Sequence, residues 1–230
     1  MKTMIVAVHQ PQYLPWLGYY DKIDKADIFV LLDNVQYKKN EWQNRNKIKT
    51  AQGGQWLTVP VAYRFPQLIN EVTITNTEKW QHKQRQAIIT NYRKSPHWGM
   101  LENFFTNLFS TEWQTISQLN IYVVRKLAEI IGITTPMHIA SELGKLPDDP
   151  DERLIAITKY FGADTYLAGM GGRGYMDLEK FHREGITVNF QEYIHPVYDQ
   201  LFGDFEPFMS VIDLMFNHGN HSLKIIRRNP

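Results

Sequence analysis

The stretch Ile5-Val6-Ala7-Val8-His9-Gln10-Pro11-Gln12-Tyr13-Leu14-Pro15-Trp16-Leu17-Gly18 decides how this chain is read. Ile5 to Val8 is apolar and largely β-branched with no alternation, the pattern of a strand covered on both faces in a parallel sheet. Two prolines then stiffen the loop and remove two backbone donors. Beyond Pro15, residues Trp16, Leu17, Tyr20 and Ile23 recur at helical spacing, and a second unalternating run, Ile28 to Leu32, follows. Strand, loop, helix and strand together make a βαβ unit, whose helical crossover joins parallel strands.

Outward from that unit, the α/β alternation resumes late in the chain. Met137 to Ala140, Thr165 to Ala168 and Ile186 to Phe190 read as strands; Asp151 to Phe161 and Gly174 to Arg183 read as helices, and Phe208 to Phe216 as the last helix. Between the two α/β portions lie three segments of different character. Residues 34 to 54 are rich in Asn, Gln, Lys and Arg and read as a polar loop or arm ending at Gly53-Gly54. Gln55 to Val61 and Val72 to Ile74 alternate and predict a small antiparallel β-hairpin. From Glu78 to about Gly132, apolar residues at helical spacing predict two or three helices, broken at Pro96 and at Ser110-Thr111. The fold class is therefore α/β. An open, mainly parallel sheet carries helices on both faces, in a single domain over 1–230 with a helical insertion at 78–132.

Composition excludes several classes of function. Apolar residues make up 43% and charged residues 21%, too apolar for a disordered chain. With 25 Lys and Arg against 24 Asp and Glu there is no net basic field for nucleic acid. The absence of cysteine removes disulfides, thiolate metal sites and a thiol nucleophile. The amino-terminal apolar run is too short for a signal sequence and no run reaches about 18 apolar residues, which predicts a cytoplasmic protein without membrane insertion.

Four constellations can carry chemistry. His9, Gln10, Gln12 and Tyr13 follow the first strand, at the carboxyl edge where open parallel sheets bind ligands. Gly169-Met170-Gly171-Gly172-Arg173-Gly174 lies between a strand and a helix, where Gly171 and Gly172 would let backbone approach an anion and Arg173 would supply a bidentate fork. The polar arm offers Asp33, Gln36, Asn44, Arg45 and Asn46, amide and guanidinium groups suited to sugar hydroxyls or phosphates. Late in the chain come His195, Tyr198 and Gln200, and then Ser210 and Asp213 on one face of the last helix, where Asp213 would orient His9 or hold an ammonium group. Each reads equally as structure: a tight connection, a glycine turn, a solvated loop, a helix cap. No metal ligands are assigned.

The blocks His9 to Tyr20, Ala26-Asp27, Leu32-Asp33-Asn34-Val35-Gln36-Tyr37, Asn44-Arg45-Asn46, Gly162-Ala163-Asp164-Thr165-Tyr166-Leu167, His195-Pro196-Val197-Tyr198 and Ser210-Val211-Ile212-Asp213-Leu214 resemble the signature blocks of the WbqC-like proteins. That resemblance covers nearly the whole chain. It implies an enzyme of bacterial surface-polysaccharide, or O-antigen, biosynthesis that transfers a glycine, other aminoacyl or acyl group to the amine of a nucleotide-linked sugar. The opening is also similar to that of the nucleotidylyltransferases and pantothenate-synthetase-like ligases, where a histidine pair meets ATP phosphates; here Pro15-Trp16-Leu17-Gly18 stands near the place of the second histidine. This second similarity implies ATP as a ligand. A non-catalytic nucleotide-sugar binding protein and a glycosyltransferase stay open as alternatives.

Overall fold

In the computed structural model of the chain, residues 3–76 and 79–228 are described. Glu78, where the sequence places the start of the helical insertion, lies outside them. Five parallel strands form the central sheet: β1 (Ile5–His9), β2 (Ile28–Leu31), β7 (Met137–Ile139), β8 (Thr165–Ala168) and β9 (Thr187–Phe190), in the order β7-β2-β1-β8-β9. The central strands β1, β2 and β8 are covered on both faces, which is why their sequences carry no polar alternation, whereas the edge strands β7 and β9 are partly exposed. Val6, Val8, Val30, Tyr166 and Ala168 face α5 (Pro150–Tyr160) and α6 (Leu178–Arg183), whose Ile155, Ile157 and Phe181 complete that layer. Ala7, Phe29, Leu31 and Leu167 face the opposite layer.

That second layer is larger. It holds α1 (Leu17–Asp24), the helices α2 (Trp80–Tyr92), α3 (Glu102–Ser110) and α4 (Ile116–Ile131), and the carboxyl-terminal α7 (Val211–His218) and α8 (Ser222–Ile226). Trp80, Ile88, Leu108, Leu119, Val123 and Leu127 share one apolar core with α1 and the sheet. The middle helices thus pack into the same core as α1 and the sheet. Their limits follow local signals: Thr115 caps α4 by accepting from Gln118 N, and Gly132, at φ +95°, ends it.

The polar arm departs from its sequence reading. Arg45–Thr50 is a strand, β3, paired antiparallel with β4 (Gly53–Thr58) through a turn that Gly53 makes at φ +99°. Val61–Ala62 (β5) pairs with Thr73–Ile74 (β6), so the segment 55–61 divides between two small sheets. The glycine run Met170–Gly174 forms a short 3-10 helix, and α6 begins only at Leu178, where Asp177 caps Glu179 N. The last helix in the sequence reading is followed by another, α8.

Gly18 shows why the opening motif holds its form. The Trp16 indole folds back over Gly18 and packs against Tyr193, His195 and Phe208. A methyl group at position 18 would overlap that ring. Gly18→Ala is therefore expected to destabilise the chain by about 1 to 3 kcal/mol, measured by urea denaturation. Unchanged stability would show that Trp16 moves away at no cost.

Candidate active site at the sheet switch point

The chain leaves β1 for β2 and β7 with helices on one face, then returns past β1 to β8 and β9 with helices on the other. The two directions part between β1 and β8, so their carboxyl-terminal loops diverge there and leave a crevice. It measures about 710 Å³. His9 and Gln10 after β1, Asn34 and Gln36 after β2, and Gly169, Gly171 and Gly172 after β8 line it, with Asp148, Asp151 and Arg153 from the start of α5 opposite.

His9 stands at the carboxyl end of β1 with its ring edge-on to Tyr19, centroids 4.8 Å apart. Its Nδ1 lies 3.1 Å from the Gln10 carbonyl, an acceptor only, so Nδ1 carries the proton and Nε2 the lone pair. Burial, and next the charge of Lys22, lower its pKa to about 3, while the bond to Gln10 acts the other way. At neutral pH His9 is an uncharged acceptor. Gln10 is fixed beside it, since Gln43 Nε2 donates to its Oε1 at 2.6 Å. Gln36 Nε2 donates to the carbonyls of Tyr37 and Gln67, and the buried Asn34 Oδ1 has no partner.

Other residues singled out from the sequence are placed elsewhere. Arg173 does not line the crevice: it is exposed, pairs with Glu192 at 2.6 Å, and lies over the Phe190 ring. The 3-10 helix turns its side chain outward while Gly171 and Gly172 face in. Tyr13 is buried and donates to Gln84 Oε1 at 2.6 Å, and Gln12 is buried with Oε1 unpartnered. Asp33 accepts from Ser141 N and Oγ at 3.0 and 2.8 Å, tying β2 to the segment after β7.

Asn44 donates to Val59 O, Asn46 Nδ2 to Leu14 O at 2.6 Å, and Arg45 stacks on Trp56 with 4.4 Å to the ring centroid. Asn44 thus closes the open end of the hairpin and Asn46 holds it against the opening loop, internal uses that sequence alone does not distinguish from ligand recognition.

Asp213 is not brought to His9. Fully buried on α7, it accepts from Tyr92 at 2.7 Å, Tyr198 at 2.9 Å and Gln200 at 2.8 Å. Burial raises its pKa, and those three donors, with the Lys49 charge, act against the shift. His195, also lowered by burial, stacks near Trp16 and accepts from Phe208 N, while Ser210 caps α7 through Ile212 N. These residues form an internal network behind the crevice.

A model of the WbqC-like protein family matches residues 10–225, from Gln10 of the crevice loop through Ile225 of α8. The chain belongs to the WbqC-like protein family. It is also 35% identical over 226 residues to the uncharacterized protein Rv1507c of Mycobacterium tuberculosis, spanning 96% of this chain and 97% of that one. No solved structure matches. Among the described residues no helix is long and apolar enough to cross a membrane.

In this WbqC-like chain the site residue that sequence reading missed is Lys22, buried on α1 behind His9. Lys22 stands among the charged neighbours Asp21, Asp24 and Lys25, yet α1 is covered on nearly every side. Its spacing of three from Tyr19 was the one available signal, since it puts both side chains on the face turned toward His9.

Proposed function

We propose that the crevice is the active site of a transferase of bacterial surface-polysaccharide assembly, in which an activated carboxyl donor acylates the amine of a nucleotide-linked sugar. The observation that carries the reading is the free Nε2 lone pair of a neutral histidine at the switch point of a parallel sheet. The amine attacks the donor carbonyl carbon, the bond from that carbon to the donor oxygen breaks, the departing oxygen carries away the proton that the amine must lose, and the neutral His9 Nε2 accepts a hydrogen bond from the amine that orients it for attack. Gln10 and Gln36 lie where they can direct hydroxyl groups of the sugar. The resemblance to the family supports the pathway and the transferred group, glycine or another aminoacyl or acyl unit. A nucleotide-linked acceptor agrees with a cytoplasmic location, and ATP would supply the activation.

Incubation with ATP, glycine and a UDP-linked aminosugar, followed by mass spectrometry, tests the reaction. The expected product carries one added acyl mass. Tight binding of the nucleotide-sugar without any mass change would make the protein a binder and overturn the transferase reading. His9→Ala is expected to lower turnover by about 10²-fold, the usual cost of losing a contact that orients the reacting group, with nucleotide affinity within about threefold. Wild-type turnover in that variant would remove His9 from the chemistry.

A further inference from the structure

Lys22 is 3% exposed, and its side chain runs from α1 to the crevice wall. Its Nζ donates to the Val8 carbonyl at 2.9 Å, which is a dipole and not a counter-ion. Neighbouring Asp21 is engaged by Lys25 at 3.0 Å and by Gln191 at 2.6 Å. Among the described residues no carboxylate pairs with Lys22. A buried cation without an anion is unfavourable, and burial lowers its pKa to about 7.

The other groups around it do not supply the missing charge. His9 on β1 is neutral. Asp148 and Asp151 stand across the crevice at the start of α5, where Asp151 accepts from Asp177 N and Arg153 is held by the Pro147 and Asp148 carbonyls. Lys38, Tyr166 and Tyr175 complete the ionisable lining, and none of them brings a negative charge to the ammonium. Gly169 and Gly171 line the same crevice with bare backbone, and a Cβ at either would meet nothing within 4 Å. The space suits a bulky anion rather than a small one, and the cavity is in the range that encloses a nucleotide-sized ligand.

We propose that the crevice seats the phosphate of a nucleotide-containing ligand on the Lys22 ammonium. This deepens the transferase reading by naming the group that anchors its acceptor, and rests on it only in taking the same crevice as the ligand site.

Calorimetric titration of the full chain with UDP, inorganic phosphate and acetate, in wild type and Lys22→Met, tests it. UDP is expected to bind wild type and to bind Lys22→Met at least tenfold more weakly; phosphate should bind more weakly than UDP, and acetate more weakly still. Equal UDP affinity in the two proteins would overturn the proposal, as would failure of wild type to bind UDP. Phosphate binding as tightly as UDP would overturn its nucleotide part, and acetate binding as tightly as phosphate would overturn the choice of anion.

A second measurement needs no variant. At pH 8.5 UDP is fully ionised and free Lys22 is largely neutral, so seating the phosphate should draw a proton onto Lys22. Titration in two buffers of different ionisation enthalpy reads this as net proton uptake, and zero uptake would overturn the proposal. Lys22-dependent UDP binding without acyl transfer would sink the transferase reading and leave this one standing. Acyl transfer with UDP binding indifferent to Lys22 would do the reverse.

Discussion

Asp213→Ala is expected to lower the stability of the chain by about 3 to 5 kcal/mol, a large share of the roughly 5 to 15 kcal/mol typical of a folded domain. Three donors converge on this carboxylate from two distant parts of the chain: Tyr92 at the end of α2, and Tyr198 and Gln200 in the segment before α7. The connections extend further. Tyr92 accepts from Lys49 N at 2.9 Å, and Gln200 Oε1 accepts from Lys49 Nζ at 3.1 Å and from Glu206 N at 2.9 Å. One side chain thus joins β3, α2, α7 and the long loop before it.

Truncation would leave buried hydroxyl and amide donors without acceptors, each costing about 1 to 3 kcal/mol, and would open a cavity beside Phe216. Urea denaturation of wild type, Asp213→Ala and Asp213→Asn measures the effect, with the amide expected to lose less because it keeps one acceptor oxygen. A catalytic Asp213 predicts the opposite signature, a folded and inactive protein. Wild-type stability in Asp213→Ala would therefore sink the structural role.

The centre of the sheet was legible in the sequence because burial on both faces leaves a direct mark: short runs without alternation at Ile5, Ile28 and Thr165, each within a residue of its observed strand. Thr165–Ala168 agrees at both ends. β3 was not legible, because periodicity is read from apolar side chains and Arg45-Asn46-Lys47-Ile48-Lys49-Thr50 contains a single one. That strand buries polar groups instead: Asn46 is 1% exposed and Lys49 4%, each satisfied by carbonyls from distant segments. Partners so far apart in sequence leave no local trace.

The same reason divides the candidate site. His9, Gln10, Gln36 and the glycines reach the crevice because strand ends determine where they go, and strand ends can be read. Ser210 caps α7 from outside the helix and Asp213 lies in its first turn, and what Asp213 meets depends on Tyr92, 121 residues earlier. Arg173 shows the converse error. A glycine run before a helix suggests a helix start that begins at once, whereas the run closes into its own 3-10 turn and directs the arginine toward Glu192.

Lys22→Met is expected to stabilise the chain at neutral pH while it weakens the ligand, and the sign follows from proton linkage. In the unfolded chain the amine has its ordinary pKa of 10.5; in the fold burial brings it to about 7. Between those values the unfolded state binds a proton that the folded state does not, so this group makes stability rise as pH goes up from 7 to 10.5. Below 7 both states are charged and the full penalty of burying the cation applies. At about 1.4 kcal/mol per pKa unit the penalty reaches about 5 kcal/mol, an upper figure, offset by the bond to the Val8 carbonyl that methionine cannot make. A net gain of about 1 to 3 kcal/mol at pH 6.5 is the expected result, shrinking as pH rises toward 10.5, above which wild-type Lys22 is neutral in both states. Urea denaturation of both proteins at pH 6.5 and pH 10 measures it. A loss of stability in the variant at pH 6.5, or a gap that does not change with pH, would mean that the fold already compensates the Lys22 charge. The expected gain has a functional corollary: a chain keeps a destabilising buried cation where a ligand uses it, and a saturating phosphate ligand should restore to the wild type the stability that Lys22 removes.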